Sequence, residues 1–323
     1  MDSIKQVSTV ASVALPVDER LMVRRCRYQA GQGRRLCVVT GTHGDELAGQ
    51  YVCFALAQAL AAHRAPERLR GTVDIYPALN PMGIDSVTRG IPAFDLDMNR
   101  IFPGGRDGSA FEEIACDIVE SLEGADLVLD LHASSLFLRE MLQGRVMREC
   151  EARLLPYARR LGLDFVWVHP SATVMQATLS HTLNSRGTPC IVVEMDVAMR
   201  INREMGDRLV RGILALMEDL GMWTGGAGDP SPAPFPDPIV CDDDARVTFI
   251  NAESSGVFLA EDLCGRQVRA GERLGRIVDP LQGEVLTDVR APFDALVFTM
   301  RAYPIVYQGS LIARLLRMGG GDA

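Results

Sequence analysis

Lysine is nearly missing from this chain of 323 residues: Lys5 is the only one, and the remaining positive charge is arginine. A carrier function, which needs a modifiable lysine on a surface hairpin, therefore has no residue to use. No run approaches the roughly 20 apolar residues that a membrane span requires. No basic stripe is present, and the formal net charge of -9 argues against a nucleic-acid partner. The Gly-x-Ser-x-Gly elbow of serine hydrolases does not occur. Nor does any Cys-x-x-Cys pair: the eight cysteines are scattered and several lie inside apolar runs. They read as free thiols in a reducing compartment rather than as a disulfide framework. Val7 to Leu15 faintly imitates a signal peptide, but its alternation of apolar and hydroxyl residues fits a strand. The expected location is the cytoplasm.

What is present is apolar mass in short, regular pieces. With 47% hydrophobic residues the chain can bury one large core or two domains. From Arg35 to Trp223 short β-rich runs alternate with helical periods, the pattern of an α/β sheet with crossover helices. Strands are expected at 36–40, 72–79, 127–131 and 191–195, and helices at 46–62, 111–122, 147–161 and 207–220. Pro156 should kink or split the third of these helices. Residues 225–238, rich in Gly and Pro, can continue neither a helix nor a central strand and read as a linker. Beyond them, short apolar runs at 247–250, 256–259 and 295–298 suggest a small β-barrel or sandwich. The organisation expected is a domain at 1–224, the linker, and an all-β domain at 239–323.

Chemistry concentrates at strand ends. Gly41-Thr42-His43-Gly44-Asp45-Glu46 follows the first buried strand and sets a His and a Glu three residues apart. A second apolar run ends in Asp130-Leu131-His132. Each piece has a plain reading: a strand-to-helix turn with acids in the first turn of the helix, and a packed strand-end histidine. Together they place two imidazoles and a carboxylate where open α/β sheets bind ligands. Two His and one Glu, with a fourth position left to water, is the donor set of hydrolytic zinc sites. Asp130, on the same strand face as His132, is placed to orient an imidazole.

Two further features fit. Asn99 and Arg100 can hold a carboxylate, the guanidinium forking onto both oxygens while the amide adds a donor, although for Arg100 alone a surface Arg pairing with a neighbouring Asp is the plainer reading. Glu194 ends Ile191-Val192-Val193 at the same sheet edge, where a carboxylate is costly without compensation and a solvent-facing strand end is the alternative.

In this order, Gly-x-His-Gly-Asp-Glu, the Asn80-Pro81 start, Asp97-x-Asn99-Arg100-x-Phe102-Pro103-Gly104, Asp130-Leu131-His132 and Glu194 resemble the succinylglutamate desuccinylase/aspartoacylase family. That family is a branch of the carboxypeptidase A-like zinc enzymes. The resemblance runs over about 36–318, since Val268 to Glu272 and Arg290 to Pro292 resemble the family's β domain. It implies a zinc-carboxypeptidase-like mixed α/β sheet flanked by helices, with a smaller C-terminal all-β domain. It also implies one Zn²⁺ per chain on His43, Glu46 and His132, with Glu194 as general acid/base and Asn99 and Arg100 on the substrate carboxylate. Arg89 matches the arginine that polarises the scissile carbonyl, across a ten-residue gap to Asn99 that is longer than expected. Neither Tyr303 nor Tyr307 aligns with the C-terminal tyrosine that family aspartoacylases use.

The expected function is removal of an acyl group from an N-acyl amino acid or a similar small molecule. The nearest alternative is a zinc carboxypeptidase acting on peptide C-termini, which would use Arg100 in the same way. A non-catalytic binding module is the third, because Arg290 to Ala295 resembles biotinyl and lipoyl hairpins; the missing lysine disfavours it. The oligomeric state and the identity of the acyl group are not legible.

Overall fold

The hydroxyl-apolar alternation at the N-terminus forms strand β1 (Lys5–Ala14), which pairs antiparallel with β2 (Arg20–Ala30). This comes from a computed structural model that describes residues 5–15, 17–62, 65–92, 94–170, 176–224 and 235–318. Next come β3 (Arg35–Thr40), α1 (Ala48–Ala62), α2 (Ala65–Arg68), β4 (Gly71–Tyr76), α3 (Pro81–Ser86) and α4 (Ala110–Leu122). They are followed by β5 (Leu127–Ser134), β6 (Leu138–Met147), α5 (Glu151–Ala158), β7 (Phe165–His169), α6 (Leu179–Ser185), β8 (Cys190–Val197) and α7 (Arg203–Asp219).

Strands β4, β3, β5 and β8 run parallel at the centre of a 13-stranded sheet. Apolar residues fill both faces of these strands, as expected where helices cover a parallel sheet on both sides. One face packs Leu36, Val38, Leu129 and Val193 against α1 and α7, through Leu56, Leu60, Leu209 and Ile213. The other packs Cys37, Val39 and Val128 against α4 and α6, through Ile114, Ile118 and Leu183. Strand β2 joins β4 antiparallel on one side and β6 joins β8 antiparallel on the other, so the sheet is mixed.

The C-terminal part is all β: β9 (Ile239–Cys241), β10 (Val247–Asn251), β11 (Gly256–Ala260), β12 (Gln267–Val268), β13 (Arg273–Asp279), β14 (Glu284–Arg290), β15 (Ala295–Arg301), β16 (Ile305–Val306) and β17 (Leu311–Arg317). Strands β14, β13, β11 and β16 form a separate four-stranded sheet. Strand β15 pairs with β6, Thr299 against Glu140, so β15, β17 and β10 extend the large sheet. Of the expected linker, residues 225–234 lie outside the described residues.

Two readings need adjustment. The helix expected over 147–161 is a 3-10 turn at Arg148–Cys150 followed by α5, so the break falls before Glu151 and Pro156 stays inside the helix. Strands β2, β6 and β7 were not anticipated: charged residues interrupt the apolar runs of β2 and β6, and β7 is only five residues long. All eight cysteines are unpaired.

Candidate metal centre and active site

The loops that build the site require glycine. Gly41 leaves β3 at φ +69°, a region open to glycine at little cost. A Cβ on Gly44 would stand 1.9 Å from the Gly83 carbonyl carbon. The His43 turn can therefore press against α3, whose first turn is fixed by Asn80 as N-cap with Pro81 behind it. Gly44 also donates its N–H to the Arg89 carbonyl at 3.2 Å, which ties the Arg89 loop to the turn. Helix α1 begins only at Ala48, so Glu46 belongs to the turn rather than to the helix.

His43, Glu46 and His132 are buried and converge, with candidate ligand atoms all within 4.8 Å of one another. Glu46 lies between the two imidazoles: Oε1 is 2.8 Å from His43 Nδ1 and Oε2 is 2.9 Å from His132 Nδ1. The far nitrogens face carboxylates, His43 Nε2 at 3.0 Å from Asp97 and His132 Nε2 at 3.1 Å from Asp130. Such outer carboxylates fix the ring orientation of metal-binding histidines. Asp97 is itself held by the Asn99 N–H at 2.8 Å, so the Asn99-Arg100 motif is connected to His43.

These residues fit a zinc ion. His43 Nδ1 is buried and, despite its 2.8 Å approach to Glu46, makes no hydrogen bond of acceptable geometry among the described residues. Donors sharing one tetrahedral ion at about 2.1 Å lie roughly 3.4 Å apart without bonding each other, and this donor arrangement is close to that.

The charges respond to the same convergence. Burial would push Glu46 up, but the two imidazoles hold its carboxyl well below the usual range. Burial would lower both histidines, and their carboxylate partners raise them instead. Protons therefore compete with a metal for these nitrogens, and binding should weaken as pH falls.

A cavity of about 340 Å³ is lined by His43, Glu46, Arg89, Asn99, Arg100, His132 and Glu194, all singled out in the sequence, while Asp130 lies behind His132. Arg89 reaches Glu46 Oε1 at 2.9 Å and Asp97 at 3.6 Å. The long gap to Asn99 costs no reach, because Ile91 and Leu96 bridge and fold the intervening residues back. Asn99 Oδ1 accepts from the Leu179 N–H at 3.0 Å, which orients its amide. Arg100 is exposed and donates to the Asn99 carbonyl at 2.7 Å. Glu194 stands beside His132 in the β5–β8 register, with its carboxyl raised to about 7 by burial and by Glu140, against the lowering effect of Arg145.

Sequence reading missed the opposite wall. Glu140 is fully buried and accepts from Arg145 at 3.1 Å, Arg314 at 2.6 Å and Thr299 at 3.3 Å. Arg145 Nη2 is also 3.6 Å from Glu194. No local spacing announces this network, since Arg314 comes from β17. Tyr303 lines a different cavity, and Tyr307 is exposed.

The sequence model of the succinylglutamate desuccinylase/aspartoacylase catalytic domain matches residues 32–220. The chain belongs to this family. Its deacylase relatives include the N-alpha-acetyl-L-2,4-diaminobutyric acid deacetylase of Halomonas elongata. That protein is 25% identical over 289 residues, 88% of this chain and 82% of the relative. The crystal structure of a succinylglutamate desuccinylase/aspartoacylase from Rhodobacter sphaeroides superposes with a TM-score of 0.80 at 23% identity, covering 98% of this chain and 96% of that one. A metallo-carboxypeptidase from Burkholderia cenocepacia shares the fold more distantly, with a TM-score of 0.52 at 13% identity over 68% of this chain and 65% of its own. The fold is therefore the carboxypeptidase-like mixed sheet of this family, with an all-β C-terminal part.

Proposed function

We propose that the protein is a zinc-dependent amidohydrolase that removes the acyl group from an N-acyl amino acid or a related small compound. The observation that carries this reading is the convergence of His43, Glu46 and His132 on one point inside a cavity that Glu194 also lines. In this reading His43, Glu46 and His132 hold one Zn²⁺ per chain. A zinc ion there supplies Lewis-acid polarisation of the amide carbonyl and brings the pKa of a bound water to about 7.

The chain's own groups do the rest. Glu194 takes the water proton and returns it to the departing amine, two roles that one carboxylate fills in turn. Arg89 turns its guanidinium from Glu46 toward the oxygen on which charge develops. Asn99 and Arg100 bind the substrate carboxylate, with the Asn99 amide already oriented by Leu179. Arg314, from the C-terminal part, walls the cavity. A volume of about 340 Å³ is at the small end of the roughly 300–1,000 Å³ of small-molecule pockets, which favours small amides over peptides. The division into a catalytic domain at 1–224, a linker at 225–238 and a β domain at 239–323 belongs to the same proposal. The unpaired cysteines support a reducing compartment, the cytoplasm.

The test combines metal analysis of the purified protein with assays on N-acetyl, N-succinyl and N-formyl amino acids and on short peptides. One zinc per chain and turnover of at least one N-acyl amino acid are expected. Hydrolysis of peptides alone would shift the reading to a carboxypeptidase, and no hydrolysis by the zinc-loaded protein would end it.

A further inference from the structure

Gln143 has a side chain that nothing described so far uses. It lies on β6 with no exposed surface, and neither Nε2 nor Oε1 of its amide has a hydrogen-bond partner among the described residues. An unmet buried amide is costly, and protein interiors rarely keep one without a reason.

The strand register shows what stands beside it. His132 on β5 pairs with Glu194 on β8, and Glu194 pairs with Gln143 on β6. Directly opposed residues of adjacent strands share a face, with Cβ atoms about 4.5–5.5 Å apart. That face is the cavity side: Leu142 and Val146 point into the core behind the sheet, whereas Arg145 lines the cavity. The Glu194 carboxylate, for its part, accepts no hydrogen bond among the described residues, and Arg145 stays at 3.6 Å. An amide without an acceptor and a carboxylate without a donor thus occupy neighbouring positions in one row that starts at His132.

We propose that Gln143 is a positioning residue for deacylation: its Nε2–H donates to one oxygen of Glu194 and holds the other toward the cavity. A side-chain rotation that brings the two groups together leaves the backbone register unchanged. The assignment rests on the reading of Glu194 as the general base.

The test uses the full chain loaded with zinc and the N-acyl amino acid turned over fastest in the panel above. It compares Gln143→Met, Glu194→Gln and the double variant. Methionine is close in volume and cannot hydrogen-bond through an amide. Gln143→Met should lower kcat about 10- to 100-fold, a share of the roughly 10²–10⁴ that a positioned base supplies. KM should stay within about two-fold, and zinc content at one ion per chain. The Tm of the metal-free protein should fall only slightly, because one hydrogen bond is lost while the packing volume is kept. Adding Gln143→Met to Glu194→Gln should cost nothing more, the non-additivity of two residues acting as one unit.

Wild-type kcat in Gln143→Met would overturn the assignment, as would an equal further loss in the Glu194→Gln background. A marked fall in Tm, or failure to fold, would make Gln143 a packing residue and also overturn it. Full activity of Glu194→Gln would overturn the general-base reading itself. An inactive Glu194→Gln beside a fully active Gln143→Met would remove Gln143 alone.

Discussion

Asp74 and Glu46 are both carboxylates buried among cations in the same sheet region, and they are connected in opposite ways. Arg27 forks onto both oxygens of Asp74 at 2.7 Å, Arg35 adds a bond at 2.9 Å, and Arg25 stands at 3.8 Å. Burial raises the Asp74 carboxyl, but the bonds from Arg27 and Arg35 bring it below the ordinary range. Its oxygens are fully used, and it does not line the cavity. Glu46 faces two imidazoles and Arg89 beside the unmet nitrogen of His43. A buried carboxylate bonded to arginines alone reads as architecture, and one set between two imidazoles, with the facing His43 Nδ1 left without a hydrogen bond, reads as a place where something binds.

Four experiments would break or sharpen that contrast. The largest effect is expected at the His43, Glu46 and His132 cluster. His132→Ala should abolish stoichiometric zinc binding and lower kcat/KM by roughly 10³–10⁵, the several kcal/mol that a Lewis acid contributes. Zinc content and activity assays check this, and retained zinc would dissolve the contrast.

Glu194→Gln should keep the zinc and lose about 10²–10⁴ in kcat. A steady-state assay with metal analysis on the same sample separates this outcome from loss of the ion.

Asp74→Asn should cost about 1–3 kcal/mol of stability, because it leaves three half-buried arginines without a charged partner. Denaturant unfolding measures that cost, while kcat of the folded fraction should match wild type. A variant of normal stability would show that the Asp74 network is not architectural.

The smallest effect is a pH dependence. Burial raises Glu194 from an ordinary 4.5 to about 7, so the folded metal-free protein binds a proton there that the unfolded chain has already lost. Its contribution to stability should therefore fall as pH rises from about 4.5 through about 7 and level off above. Glu194→Gln should remove that slope, as followed by denaturant unfolding across the range.

The convergence of His43, Glu46 and His132 at one end of the cavity was foreshadowed in the sequence because these residues sit at ends of short buried strands. His43 and Glu46 follow β3, His132 lies near the end of β5 and Glu194 that of β8, so local hydrophobic runs were enough to find them. The ten-residue gap between Arg89 and Asn99 is folded back between Ile91 and Leu96, a pairing with no apolar period to announce it. The opposite wall was not legible at all. Strand β6 carries Arg139, Glu140, Gln143 and Arg145 within ten residues, which breaks the pattern of a buried strand. Glu140 is tolerated there because Thr299 and Arg314, far away in sequence, come alongside through the β15–β6 and β15–β17 pairings, while Arg139 pairs with Asp196. The fold class was readable from alternation, while the joining of the C-terminal strands to the large sheet depended on pairings that no local pattern encodes.

The central claim is that two imidazoles and one carboxylate share a single ion. Zinc K-edge X-ray absorption on the purified protein tests it most directly. The account predicts one zinc per chain with two imidazole nitrogens and light oxygen donors at about 2.0–2.2 Å. Sulfur in the coordination shell, or a spectrum unchanged by Glu46→Gln and His132→Ala, would contradict it.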